Sequence, residues 1–136
     1  MSDTISSRNP PKVALVTGAA KRIGAEIAQQ LHTAGFNVII HYNQSAAAAQ
    51  ELVDEFNSER ENSAAGIQAD LNDQTQVLNL AQQSAAQWQR LDLLVNNASS
   101  FYPTPIGEAT NTDWDNLINS NLKAPFFLAQ ALAPTL

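Results

Sequence analysis

The 136-residue chain contains no cysteine, which excludes a disulfide framework, a thiolate metal site and a cysteine nucleophile. No metal is expected. Basic residues are scarce, seven lysines and arginines against thirteen acidic residues, for a net charge of −6. Such a chain lacks the basic face that nucleic acid requires. No apolar run approaches the roughly 20 residues needed to span a bilayer. The opening MSDTISSRNPP has no apolar signal-peptide core and reads as a mobile leader over residues 1–11. A soluble cytoplasmic protein is therefore the expectation. Hydrophobic residues make up 44% of the chain, enough for one domain with a real core.

The rest is organised around Lys12–Gly35, KVALVTGAAKRIGAEIAQQLHTAG. An apolar run, Val13 to Val16, ends in Thr17-Gly18. A short turn leads to Ile23-Gly24, and apolar residues then recur at helical spacing (Ile23, Ile27, Leu31), with Gly35 placed for a left-handed cap. Strand, glycine turn and helix in this order open a dinucleotide-binding βαβ unit. A side chain at Gly18 would keep the backbone from a pyrophosphate, and one at Gly24 would hold the helix off the strand. The helix start offers unpaired N–H groups and a positive dipole end to phosphates.

The turn is spaced T-G-x-x-x-R-x-G, with Arg22 where the commoner fingerprint has its middle glycine and Lys21 beside it. Two solvated surface charges would explain the pair; a clamp for an additional phosphate, meaning NADP, explains it better. The second strand, Asn37 to Tyr42, leaves its sheet at His41-Tyr42-Asn43-Gln44-Ser45. An NAD-preferring site usually places Asp or Glu about 20 residues beyond the glycines, yet none occurs from Gly35 to Ala49. Neutral donors stand there instead.

Further along, Ala46 to Arg60 reads as a helix with Leu52, Val53 and Phe56 inside, and Ala64 to Ala69 as a strand ending in Asp70-Leu71. A helix follows over about 73–89 (Val77, Leu80, Ala81, Ala85, Trp88 inward), then a strand at Leu91 to Val95 entering Asn96-Asn97-Ala98-Ser99-Ser100. Thr112-Asp113-Trp114-Asp115 opens a long helix with capping-box character and an apolar stripe of Trp114, Leu117, Ile118, Leu122, Phe126 and Leu132. Pro125 has no N–H for the carbonyl of Asn121, so a kink is expected there. Strand and helix alternate throughout: the fold class is α/β, a doubly wound parallel sheet (Rossmann fold). Right-handed crossovers give strand order 3-2-1-4, with the ligand crevice at the carboxyl ends of strands 1 and 4. Asp70 could accept from an adenine amino group or cap the next helix. The Asn96-Asn97 pair could brace the glycine loop or form an ordinary Asx-turn.

Together TGAAKRIG, the Asp70-Leu71 pair, Asn-Asn-Ala at 96–98 and Asn121 in SNLKAPFF resemble the short-chain dehydrogenase/reductase superfamily in order and spacing. AKR in the glycine loop, HYNQSAAAA after the second strand and NNASSFYPTP at 96–105 resemble its pteridine reductases more narrowly. The resemblance implies an NADPH/NADP cofactor held by Gly18, Lys21, Arg22, Ile23, Gly24, Tyr42, Asn43, Gln44, Ser45, Asp70, Leu71, Asn97, Ala98 and Ser99. Within that set Arg22, Asn43 and Ser45 surround the 2′-phosphate, with Gln44 where several members carry arginine. Asp70 and Leu71 hold the adenine; Asn97 and Ala98 lie on the nicotinamide side. Phe101 stacks on the pterin ring of a pterin or folate, sandwiching it against the nicotinamide, with Ser99 hydrogen-bonding the ring or a phosphate. Asn121 supports a proton relay through a water. A homo-oligomer, a tetramer paired through the helix at 112–135, is implied by analogy.

The superfamily's acid is the tyrosine of a Y-x-x-x-K pair. Tyr42 is followed four residues later by Ala46 and Tyr102 by Ile106, so neither makes it. Residues 12–136 thus read as the N-terminal part of a single reductase domain whose later strands are missing, inactive by itself. The alternatives are a short-chain reductase of another carbonyl compound (a 3-oxoacyl thioester or a sugar) and a non-catalytic nucleotide-binding fragment.

Overall fold

The computed structural model describes residues 9–136. The leader expected at 1–11 lies outside the described residues as far as residue 8; residues 9–11 are exposed and irregular. Four parallel strands, β1 (Val13–Val16), β2 (Asn37–Tyr42), β3 (Ala64–Gln68) and β4 (Leu93–Val95), form one sheet in the order β3-β2-β1-β4. Helices α1 (Arg22–Thr33), α2 (Ala46–Glu59) and α3 (Gln74–Gln87) connect them. After β4 come α4 (Asn111–Ile118), a π turn (Asn119–Lys123) and α5 (Ala124–Leu132). No described helix is long and apolar enough to cross a membrane.

Strand periodicity divides the core in two. Val13, Leu15, Ile39 and Ile67 pack with Val77, Leu80 and Ala81 of α3 and Ala124, Leu128 and Leu132 of α5. On the other face Val16, Val38, Ile40 and Ala64 meet Ala28 of α1 and Ala49, Val53 and Phe56 of α2. With both faces covered, β1 and β2 read as apolar runs without alternation. Each fully buried Leu, Ile or Phe contributes about 1.5–3 kcal/mol relative to exposure. The β4 strand lies at the sheet edge and is only half-buried.

Local chemistry sets the element ends. Gly35 (φ 101°) closes α1 in a Schellman motif, its N–H donating to the His32 carbonyl while Phe36 N–H donates to that of Leu31, both at 3.0 Å. The Asp73 carboxylate caps α3 by accepting from Thr75 and Gln76 N–H. Asp92 anchors the start of β1 beside β4. Its carboxylate accepts from Val13 N–H at 2.8 Å and takes a bidentate fork from Arg90 at 2.8 and 2.7 Å. The Arg90 guanidinium, more than the Val13 amide, holds the Asp92 carboxyl below the usual range.

Three expectations are corrected. The β2 strand has the expected range and parts from β1 after Ile40, but it does not leave the sheet at His41, because His41 and Tyr42 still pair with Ile67 and Gln68 of β3. The capping box of α4 is Thr110 with Asp113, so the helix starts at Asn111 and not at Thr112. Its apolar stripe does not run straight through to Leu132. The π turn adds a residue to one helical turn and rotates α5 relative to α4, so Ala124, Leu128 and Leu132 face α3 while Phe126 is exposed, as are Leu122 within the turn and Trp114 before it. Pro125, in the first turn of α5, cannot donate to the Asn121 carbonyl, and the π turn sits immediately before it.

Candidate functional site

The carboxyl ends of all four strands open on one crevice of about 520 Å³. Its lining includes Gly18, Lys21, Arg22, Ile23 and Gly24 from the glycine loop and α1, Asp70 and Leu71 beyond β3, and Asn97, Ala98 and Ser99 beyond β4, with Asn43 beyond β2. Eleven of the residues singled out from the sequence are thus brought together. Tyr42, Gln44, Ser45, Phe101 and Asn121 are outside the lining. Tyr42 packs into the α1–α2 side of the core, and Ser45 precedes the first turn of α2.

The glycine loop is shaped by close approach. Gly18 has φ 59°, and a Cβ there would lie 2.9 Å from Ala98 Cα. That glycine therefore admits the β4 loop, a packing requirement across the sheet in addition to any phosphate access. At Gly24 an added Cβ would overlap the Gly18 carbonyl and lie 2.5 Å from Asn97 Nδ2, so the helix rests on the loop backbone at that point. Arg22 takes φ 54°, a left-handed conformation costing a non-glycine residue about 1–2 kcal/mol. Lys21, extended, precedes the helix without a side-chain cap, leaving the first-turn N–H groups of α1 free on the cavity wall.

Thr17, buried, locks the loop to β4. Its Oγ1 accepts from the N–H groups of Asn97 (3.0 Å) and Ala98 (2.9 Å). Asn97 Nδ2 returns two bonds, to the carbonyls of Thr17 and Gly18, both at 3.2 Å. On the β3 side, Asp70 forms an Asx-turn, Oδ1 accepting from Asn72 N–H at 2.9 Å. It does not cap α3; Asp73 does.

The asparagine in the π turn faces the β4 loop. Asn121 Oδ1 accepts from Ser100 N–H (2.9 Å) and its Nδ2 donates to the Ser100 carbonyl (2.7 Å), while Ser100 and Ser120 hydroxyls meet at 2.5 Å. The next residue, Phe101, is 87% exposed. Nearby, the Thr110 N–H, and then the Tyr102 hydroxyl, hold the Asp113 carboxyl below its ordinary range.

Residues missed by the sequence reading are Thr17, His41, Asn72, Ser100 and Ser120. A lone polar residue ending the apolar run Val38-Ile39-Ile40 was the signal available for His41; none marked Ser120. His41 is buried among backbone groups, and burial lowers its pKa, countered in part by the Ala69 carbonyl.

An open parallel sheet with a glycine loop and helix start on the crevice at strands 1 and 4 defines a dinucleotide-binding Rossmann domain. The family model described as short chain dehydrogenase matches residues 12–136, and the chain belongs to that family. It is 41% identical over 152 aligned residues to pteridine reductase 1 of Leishmania tarentolae, covering 89% of this chain and 53% of that protein. It is 39% identical to the hydroxynaphthalene reductase-like protein Arp2 of Metarhizium guizhouense, over 88% of this chain and 44% of that one. A crystal structure of a blue fluorescent protein from a metagenomic library, in complex with NADPH, superposes with a TM-score of 0.87 at 36% identity, covering 92% of this chain and 51% of that one. The chain spans about half the length of these relatives.

Proposed function

We propose that residues 12–136 form the cofactor-binding, N-terminal part of an NADPH-dependent reductase of pterins or dihydrofolate-type substrates. The observation that carries this reading is the shared crevice, where the glycine-loop backbone, Lys21, Arg22, Asn43 and Asp70 face one space of dinucleotide scale. Lys21 and Arg22, with Asn43, Gln44 and Ser45 nearby and no carboxylate on that turn, suit a 2′-phosphate. Asp70 and Leu71 suit the adenine; Asn97, Ala98 and Ser99 suit the nicotinamide half. The bound cofactor supplies a hydride for a ring carbon of a C=N bond, and the nitrogen takes a proton.

Phe101 stands exposed beside the lining residue Ser100, where a flat ring could stack on it for about 0.5–1.5 kcal/mol beyond area burial. Asn121, through its two bonds to Ser100, sets the position of that loop. Similarity to pteridine reductase 1 favours the pterin. Residues 1–136 contain no Tyr-x-x-x-Lys pair, so turnover is not expected of them alone. We assign the reductase to the cytoplasm as a homo-oligomer, a tetramer, whose contacts use the exposed Trp114, Leu122 and Phe126.

The likeness to a hydroxynaphthalene reductase-like protein supports a second reading, a short-chain reductase of another carbonyl compound. NADPH oxidation by the whole protein separates the two. Turnover with a dihydropterin and none with 3-oxoacyl thioesters or naphthols supports the first. The reverse pattern overturns it.

A further inference from the structure

His41, at the end of β2, bonds three backbone groups on two segments, the glycine loop and the end of β3, through one buried side chain and its own carbonyl. Gly18 N–H donates to the ring Nδ1 at 2.9 Å. The ring Nε2 lies 2.9 Å from the Ala69 carbonyl. Ala19 N–H donates to the His41 carbonyl, also at 2.9 Å. Because Nδ1 must accept, a neutral ring carries its proton on Nε2 and donates it to Ala69. The side chain is 2% exposed, yet it borders the crevice.

We propose that His41 is the positioning residue of the nucleotide loop: its neutral ring fixes the Gly18 amide against the start of the β3–α3 turn and makes nucleotide affinity depend on its proton. This rests on the nucleotide-binding reading above. Protonation would set an Nδ1–H against the Gly18 N–H, two donors face to face. The Gly18 turn, already confined by Ala98 on one side and Gly24 on the other, would lose the bond that orients it toward the crevice. Burial acts in the same direction, keeping the ring neutral at neutral pH.

The charged groups around it are few. Lys21 and Arg22 share the crevice from the glycine loop, and Asp70 shares it from beyond β3. From β1 and β3 the neighbouring positions Val16, Thr17, Ile67, Gln68 and Ala69 carry no charge. The two cations oppose protonation of the ring and the Asp70 carboxylate favours it.

The test is the affinity of the chain for NAD⁺, measured by calorimetry from pH 8 to pH 5 with the fold monitored by circular dichroism. NAD⁺ is chosen because it lacks the 2′-phosphate, which titrates near pH 6 itself. The dissociation constant is expected to stay flat near pH 8 and then rise toward tenfold per pH unit once the pH passes below the His41 pKa, which lies under 6.5. His41→Asn, with an acceptor near the Nδ1 position, is expected to recover most of the affinity that His41→Leu loses and to flatten the profile. An unchanged pH profile in a folded His41→Asn variant overturns the proposal. Ring-nitrogen NMR of the wild-type chain needs no variant: an Nδ1–H tautomer at pH 7.5 also overturns it, and the Nε2–H tautomer supports it. Failure of both NAD⁺ and NADPH to bind at pH 8 would remove the nucleotide reading itself, and the proposal with it.

Discussion

Thr17 and Asn97 hold each other across 80 positions of sequence: the Thr17 hydroxyl accepts the Asn97 amide at 3.0 Å while the Asn97 side chain donates to the Thr17 carbonyl at 3.2 Å. The exchange ties the end of β1 to the end of β4, the two strands between which the crevice opens. Thr17→Val keeps the shape and deletes the acceptor, stranding the Ala98 amide, whereas the Asn97 amide keeps the Val95 carbonyl at 3.1 Å. A loss of about 1–3 kcal/mol is expected, the cost of the one stranded amide, with weaker NADPH binding. Thr17→Ser is expected to restore most of both. Urea unfolding and calorimetry check this, and equal stability of the Val and Ser variants would reject it.

Glycine 24 tolerates no side chain for a reason visible only in three dimensions. A Cβ there overlaps the Gly18 carbonyl and crowds Asn97 Nδ2 and Ala19 Cα at 2.5 and 2.9 Å. Two of these neighbours are backbone and cannot rotate away. Gly24→Ala is expected to lower stability by about 1–3 kcal/mol, the usual range for overpacking, and to abolish measurable nucleotide binding. The same change at Gly107, where an added Cβ meets nothing within 4 Å, is the comparison: only backbone strain at φ 92° acts there, and nucleotide binding should survive. Binding that survives in Gly24→Ala would show that the loop moves freely.

Stability should fall in mild acid. His32, buried at the end of α1, lies 2.7 Å from the Ser63 hydroxyl and stacks on Phe56 at 4.5 Å. Burial, and then Arg60, lower its pKa below 6.5, against the opposing pull of Glu59; burial lowers that of His41 as well. The unfolded chain therefore takes up protons first as pH falls. The stabilisation is complete above about 6.5 and is lost below it, toward the lower folded values, at no more than about 1.4 kcal/mol per pH unit for each histidine. Urea midpoints at pH 7.5 and 5.5 measure the drop, which should shrink in His32→Gln. A midpoint independent of pH over that interval would contradict the burial account.

Much of this architecture is legible along the chain, and the exceptions share a cause. The ranges of β1 and β2 follow from apolar runs bounded by Lys12, Thr17, Asn37 and Asn43, and strict alternation of strand and helix dictates the sheet order. The start of α4 was misplaced because Thr110-x-x-Asp113 and Thr112-x-x-Asp115 share one capping-box spacing, and the box forms at Thr110. The π turn arises where Asn121 must reach Ser100, a contact between elements 21 positions apart. His41 and Thr17 were read only as strand ends because their partners lie on other strands, so no local spacing announces their bonds.

Arg22 offers the sharpest measurement on the cofactor, since its charge and its backbone conformation can be separated. Its φ of 54° suits glycine better than arginine, so a side chain retained there at a conformational cost points to a use for the guanidinium. Arg22→Gly removes the charge and relieves the backbone, whereas Arg22→Ala removes the charge and keeps the strain. Both should weaken NADPH binding by about 10- to 150-fold, the equivalent of one charge-assisted bond of 1.5–3 kcal/mol, and leave NADH nearly unaffected. Arg22→Gly alone should leave stability unharmed. The NADPH loss should also shrink as salt rises, because the crevice is open to solvent and exposed charges are screened. If NADPH and NADH weaken equally, the guanidinium does not read the 2′-phosphate, and the preference must reside in Lys21 and the turn Asn43-Gln44-Ser45.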